Sequence, residues 1–300
     1  LYTEIAEKYL IALTRILSQV DLSGIGDFRE KKVTKLSKVF IDVPVTLASG
    51  WHPEKYDSFD DVAVARIRTG LLNKSMPATQ VTSIPKLNRI ILLGDPGSGK
   101  TTISQYLCLN YAIITLNEID NTRETFNKIY GLPFFVTIRY FVSEKSKKPD
   151  ASLLDHIARQ VGSYIGQHPP PGFTEFWLAK EKSLIVFDGL DEVIRLEDRK
   201  RVHDIVTQFI ETFPSGQYVI TSRIVGYGEA PLDRNKFLHL VLLALENEQA
   251  ESFVRRWYAE REPGPSKREV AIESLLEALK EEHVRELARN PLLLTIMVLV

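Results

Sequence analysis

The chain has 300 residues, 44% hydrophobic and 26% charged, with a net charge of −1. That balance suits a soluble globular protein of one large or two to three smaller domains, and it excludes an overall basic field for nucleic acid or membrane. The single cysteine, Cys108, cannot form an internal disulfide and fits a reducing compartment, so the expected location is cytoplasmic.

In chain order, Ile5, Tyr9, Leu13, Ile16, Leu17 and Val20 recur at spacings of three and four. This predicts an amphipathic helix over residues 1–20 that packs on its own domain. Glu4, Glu7, Lys8 and Arg15 interrupt any secretory apolar core. Residues 39–47 read as a strand or extended segment. From 49 to 85 the chain turns polar, with GWHPEKYDSFDD and NKSMPATQ reading as loop or linker. Five apolar runs follow, RIILLG, PFFVTIRYF, SLIVFDG, QYVITSR and FLHLVLLAL, separated by helical patterns. That alternation predicts an α/β fold, a mostly parallel sheet sandwiched by helices. After Leu245 the pattern is purely helical. Phe253 with Trp257 and Val254 with Tyr258 stand four apart, and Ile272, Leu275, Leu276 and Leu279 form a second stripe. The expected divisions are an N-terminal helical and extended region at 1–85, a core at 86–243 and a helical subdomain at 244–300. The apolar run 291–300, broken by Thr295, is too short to cross a bilayer. Because the chain opens on leucine and stops inside that run, it is expected to be part of a longer protein.

Three motifs carry chemistry. Gly94, Gly99, Lys100 and Thr101 fit G-x-x-x-x-G-K-[ST] between an apolar strand and a helix. Asp95, Pro96, Gly97, Ser98 and Thr102 complete the candidate phosphate-binding loop. Its glycines let successive N–H groups turn inward on a phosphate chain, and the following helix adds its positive dipole end. Lys100 is expected at the β- and γ-phosphates and Thr101 at Mg²⁺. In SLIVFDGLDEV a buried strand delivers Asp188 to the carboxyl edge of the sheet, where it would complete the Mg²⁺ site. Asp191 and Glu192 follow, and either could orient or deprotonate an attacking water. In QYVITSR another strand ends in Thr221, Ser222 and Arg223, whose guanidinium could sense a γ-phosphate.

Other features read as structural. The six histidines show no metal-binding spacing, and His239 reads as a packed strand residue. Cys108 is expected to be buried on the helix after the loop. HPPPG at 168–172 reads as a rigid turn, and SEKSKKPD and RLEDRKR as solvated mixed charge.

Taken in order, GDPGSGKTT, LPFFVTIRYF with Arg139, FDGLDEV, VITSR and ARNPLLLTIMV resemble the NACHT family of STAND-class P-loop NTPases, most closely bacterial antiviral-defence members. The lead-in YLIALTRILSQVDLSGIG and KVTKLSKVFIDVPV is similar as well. The resemblance implies ATP or ADP with Mg²⁺, slow hydrolysis, and exchange that opens a closed monomer to self-association. It implies Lys100 and Thr101 on phosphate and metal, Asp188 as the metal aspartate, Asp191 as the catalytic acid with Glu192 in reserve, and Arg223 as sensor. Pro291 would border the adenine. Effector and sensor domains of the same longer chain would be the partners, with no membrane contact and no nucleic-acid surface within this stretch. Two other classes stay open: an AAA+-like motor with continuous turnover, and a phosphoryl transferase with an acceptor pocket.

Overall fold

The computed structural model describes residues 1–20, 22, 33–49, 65, 67, 70–71, 75–84, 87–122, 131–193 and 196–300. The expected loop GWHPEKYDSFDD and most of the DLSGIG stretch lie outside them.

A seven-stranded sheet organises the molecule, in the order β2-β1-β7-β3-β6-β5-β4. Its members are β1 (Pro44–Leu47), β2 (Met76–Pro77), β3 (Arg89–Leu93), β4 (Pro133–Thr137), β5 (Leu184–Asp188), β6 (Gln217–Ser222) and β7 (Leu238–Leu242). Strands β7, β3, β6, β5 and β4 run parallel, while β1 is antiparallel to both β2 and β7. Every residue of β5 is buried, as expected of a strand covered on both faces. The α/β expectation with a mostly parallel sheet therefore holds. Strand β6 stands between β3 and β5, and the register pairs Leu93 with Ser222 and Phe187 with Ile220. The three motif-bearing strand ends thus finish side by side at one edge.

The helices are α1 (Tyr2–Leu17), α2 (Leu36–Val39), α3 (Ala78–Thr82), α4 (Lys100–Thr122), α5 (Ile138–Lys147), α6 (Leu153–Ile165), α7 (Phe173–Leu178) and α8 (Leu196–Thr212). Four more close the chain: α9 (Asn247–Arg261), α10 (Pro265–Ala278), α11 (Glu282–Ala288) and α12 (Pro291–Met297). Local chemistry sets several ends. Ser152 and Asp155 close a reciprocal capping box on α6, which stops at Gly166 in the left-handed region.

The amphipathic helix predicted at the N-terminus packs on α4. The Tyr9 hydroxyl donates to the Pro133 carbonyl at 2.8 Å, and its buried ring stacks near Phe134. Ile16, assigned to the same stripe, is 47% exposed, and Val20 lies beyond the helix end.

Three expectations need correction. The run PFFVTIRYF is a strand only to Thr137. Ile138 and Phe141, three apart, are both buried while Arg139 and Tyr140 are not, which is the pattern of a helix start. Arg139 therefore sits in the first turn of α5. Residues 39–47 are not extended throughout, because Leu36 and Val39 bury one face of the short α2 and the strand begins at Pro44. The end of the presumed linker is ordered structure: Met76 and Pro77 pair with β1, and Ala78, Val81 and Thr82 bury one side of α3. Asp42 holds that helix by accepting hydrogen bonds from the Thr79 amide and hydroxyl.

The helical tail packs onto this core rather than apart from it. Val254 and Trp257 of α9 are buried. Gln249 donates to the Asp42 carbonyl and Arg256 to the Phe40 carbonyl, both at 2.8 Å, so α9 grips residues 40–42. Among the described residues no helix is long and apolar enough to cross a membrane.

Candidate functional site

Strand β3 ends at Leu93, residues 94–99 form a loop, and α4 begins at Lys100. The Gly94 amide donates to the Ser222 carbonyl at 3.2 Å, fixing the loop's start to the neighbouring strand. Gly97 (φ +77) and Gly99 (φ +90) occupy the left-handed region that a side chain resists. A Cβ on Gly97 would also lie 2.7 Å from Asn290 Oδ1 and 2.9 Å from Leu292 Cβ. Ser98 Oγ is buried with no hydrogen-bond partner among the described residues. Asp95, Pro96 and Thr102 are exposed along the loop's rim. Lys100 folds back across the loop, its Nζ donating to the carbonyls of Gly94 (2.8 Å) and Asp95 (2.9 Å). Partial burial lowers its pKa, and the nearby Asp191 carboxylate works against that shift.

Asp188 ends β5 and is 3% exposed. Its Oδ2 accepts from Thr101 Oγ1 at 2.9 Å and its Oδ1 from Thr221 Oγ1 at 2.8 Å. Burial raises its pKa, while the bonds from Thr221 and Thr101 and the charge of Lys100 oppose the rise. Thr221 in turn accepts from the Gly189 amide at 2.8 Å, so one hydroxyl orders both the aspartate and the turn after it. That 3-10 turn, Leu190–Glu192, presents the other two acids. Asp191 Oδ1 accepts from the Arg223 amide at 2.8 Å, and its Oδ2 pairs with Arg223 Nε at 3.0 Å. Glu192 faces Arg139 Nε at a looser 3.7 Å, and burial raises its pKa.

Lys100, Thr101, Asp188, Asp191, Glu192 and Arg223 are thus brought to one edge of the sheet. The donor set suits the groups the motif calls for. A buried carboxylate sharing a hydroxyl offers hard oxygens to Mg²⁺, an ion held by few protein ligands and the substrate's phosphates. The inward loop with an orphaned serine hydroxyl suits a phosphate chain.

An apolar cavity of about 250 Å³ opens on the other side of the loop. Gly99, Val39, Phe40, Val43, Trp257 and Pro291 line it. Pro291 is therefore near the loop, and its neighbour Asn290 joins loop to tail. Asn290 Nδ2 donates to the Pro96 carbonyl at 3.1 Å, its Oδ1 caps α12 by accepting from Leu292 and Leu293, and the Leu292 amide donates to the Gly97 carbonyl at 3.2 Å. His239 is packed as expected: Leu232 donates its amide to the Tyr227 hydroxyl, which meets His239 Nε2 at 2.8 Å. Cys108 is fully buried and its pKa is driven upward.

Sequence reasoning missed three contributors. Thr221 was placed at the edge without a role, and only the strand order reveals its bond to Asp188. Asn290 carried a readable signal, since Asn before Pro is a helix start. The cavity wall at 39–43 carried none, because α9 and β7 bring it there.

Solved structures with a distant likeness include replication initiators. Domain III of DnaA from Thermotoga maritima has a TM-score of 0.40 and 13% identity, over 81% of this chain and 86% of that one. AMPPCP-bound DnaA from Aquifex aeolicus has 0.36 and 12%, over 81% and 69%. DnaA bound to AMPPCP and single-stranded DNA has 0.35 and 13%, over 81% and 68%. Likeness at that level says nothing about what this chain binds. No curated protein matches the chain. The NACHT domain model matches residues 88–261. That match covers more than half of the chain, including the loop, Asp188 and Arg223, and the chain belongs to the NACHT family of P-loop NTPases.

Proposed function

We propose that this NTPase is an ATP/ADP switch with slow, Mg²⁺-dependent hydrolysis, whose nucleotide state controls opening and self-association in a signalling response. The observation that carries the reading is the direct bonding of the tail to the phosphate loop, through Asn290 to Pro96 and Leu292 to Gly97. A loop that rearranges around a phosphate must shift the helix bonded to it, and that is what a switch needs and a bare hydrolase does not.

The residues divide the work. The apolar cavity at Phe40, Trp257 and Pro291 accepts the adenine, and loop amides take the phosphates. Lys100 leaves two neutral carbonyls for charged phosphate oxygens, a stronger charge-assisted bond. Thr101 and Asp188 would hold Mg²⁺, which neutralises phosphate charge when bound. Arg223 reports a γ-phosphate. Moving an equilibrium from 1:99 to 99:1 needs about 5.5 kcal/mol, against roughly 1.5–3 kcal/mol for one charged hydrogen bond. Arg223 alone is therefore too weak, and either further γ-phosphate contacts from another domain or a ligand sensed elsewhere would supply the remainder. The antiviral setting and the effector and sensor partners rest on the family resemblance alone, and a cytoplasmic location on the single cysteine.

The test is the nucleotide carried by purified protein, released by denaturation and identified by chromatography beside Lys100→Ala. Stoichiometric ADP in the parent and none in the variant is the expected result. An empty parent with turnover in the range of about 1–10³ s⁻¹ would replace the switch with the motor.

A further inference from the structure

Two openings flank the end of the site where a terminal phosphate would lie, and their linings differ in charge. The first is a cleft of about 640 Å³ over the loop rim. Asp95, Asp191 and Glu192 line it, together with Arg199 and Arg223. Both cations are already engaged, Arg223 by Asp191 and Arg199 by the Val193 and Gly226 carbonyls and Glu229. That leaves an excess of carboxylate at the mouth, which disfavours an anion passing through.

The second opening is a polar groove of about 570 Å³ that reaches Thr101 and Asp188. Its walls come from α1, α4, α6 and the start of α5, and they supply donors. Gln105 stands four residues after Thr101 on the same face of α4. Thr137 pairs with Asp188 across the sheet, and its hydroxyl caps no amide of α5. Arg139 is 57% exposed and meets Glu192 at a loose 3.7 Å. Gln160 Nε2 donates to the Tyr164 hydroxyl at 3.0 Å. Among the described residues the groove's acids are Asp188, a metal ligand in the reading above, and Glu192, which faces Arg139. It adjoins the apolar cavity at Val20, Leu22 and Thr101. At its far end Ile16 and Tyr164 lead into an open surface groove between α1 and α6. The exposed Lys8 and Arg15 line that outer stretch, and no carboxylate lines it among the described residues. An anion at the metal pair thus meets neutral donors first and two cations at the exit.

We propose that this groove is the route by which inorganic phosphate leaves the site while ADP stays bound. The proposal rests on the ATP-hydrolysis reading above. ADP would fill the apolar cavity and the phosphate loop, so the phosphate cannot retrace the nucleotide's path. It passes instead from Thr101 and Asp188 by Gln105, Thr137 and Arg139 to Gln160, and out between α1 and α6. Uncharged donors suit a passage, because hydrogen bonds between neutral protein groups and an anion hold it less firmly than paired charges do. By microscopic reversibility the same groove admits a phosphate-like oxyanion to the ADP-bound protein.

Orthovanadate is the probe, since it occupies a terminal-phosphate position beside ADP and traps the nucleotide. Protein loaded with a fluorescent ADP and Mg²⁺ is mixed with orthovanadate. Loss of exchangeable ADP gives the entry rate, and recovery after dilution gives the escape rate. Gln160→Trp narrows the groove, and Lys8→Glu with Arg15→Glu reverses the charge at its mouth. Val225→Trp narrows the competing cleft, which this 81% exposed residue lines. Gln160→Trp is expected to slow entry and escape by the same factor, with ADP affinity and trapping at equilibrium unchanged, because a route alters rates and not end states. The charge reversal should slow entry at least about tenfold at low salt, an effect that fades as salt is raised. Val225→Trp should leave both rates as in the parent. Slowing by Val225→Trp and not by Gln160→Trp overturns the proposal, and slowing by both overturns the single route. If Gln160→Trp loses ADP affinity, the charge reversal on exposed residues decides, and unaltered entry there refutes the groove. A parent that traps ADP at one rate in every variant sinks the route alone. A parent that holds ADP but is never trapped by orthovanadate, or that holds no ADP, refutes the hydrolysis reading and the proposal with it.

Discussion

Asn290 offers the sharpest structural test, because its side chain does two separable jobs. Its Oδ1 accepts from the amides of Leu292 and Leu293 at 3.0 and 3.3 Å, capping the last helix. Its Nδ2 donates to the Pro96 carbonyl at 3.1 Å, tying that helix to the phosphate loop. Loss of an N-cap costs about 1 kcal/mol, and a net hydrogen bond contributes about 1 kcal/mol. Asn290→Ala removes both and should cost about 2 kcal/mol. Asn290→Asp keeps an acceptor at the cap and adds a charge that the helix N-terminus favours, but it loses the donor to Pro96. It should cost about 1 kcal/mol. For a domain of this size each kcal/mol moves Tm by roughly 2–4 °C, so thermal unfolding followed by circular dichroism resolves the two variants. Nucleotide affinity should order differently, with Asn290→Asp no better than Asn290→Ala, because both cut the tie to the loop and the aspartate brings negative charge toward the phosphates. Equal Tm losses in the two variants would refute the cap. Affinity unchanged in both would refute the coupling of tail to loop, and with it the main support for the switch.

Two further outcomes are expected. Thr221→Val leaves the Gly189 amide and Asp188 Oδ1 without their buried partner, which should cost about 3 kcal/mol in urea unfolding and weaken ATP binding with Mg²⁺ more than without it. Thr221→Ser should restore both, and a Val variant as stable as the parent would show that the hydroxyl does not order the turn. His203 is buried, its Nε2 has no hydrogen-bond partner among the described residues, and burial followed by the Arg199 charge lowers its pKa from 6.5 to about 4. Between those values the unfolded chain takes up a proton that the folded chain refuses. Stability should therefore fall as pH drops from about 6.5 to 4, by up to about 3 kcal/mol. Urea midpoints at pH 7.5 and 5 should differ more for the parent than for His203→Leu; equal slopes would refute the argument.

Much of the site was legible because its parts are local. A phosphate loop is made by a handful of consecutive residues with glycine where φ is positive, and a buried strand ending in a carboxylate announces its own edge. Gly97, Gly99, Lys100, Thr101, Asp188 and Arg223 could all be marked without knowing the fold. The five parallel strands were readable for a similar reason, since burial on both faces writes an unbroken apolar run. The errors fell where a run carried no mark of its end. PFFVTIRYF is mostly apolar and has no turn residue inside it, and only the change of burial spacing at Ile138 turns strand into helix.

The tertiary structure decided what depends on which segments become neighbours. Inserting β6 between β3 and β5 puts Thr221 against Asp188 and Arg223 against Asp191, pairs 33 and 32 residues apart in the chain. The antiparallel addition of β1 to β7 and the grip of α9 bring residues 39–43 to the cavity. Asn290 reaches Pro96 across 194 residues. Motif chemistry is short-range and survives in a linear reading. Contacts of that length arise only when packing selects one strand order, and no spacing within the sequence records that selection.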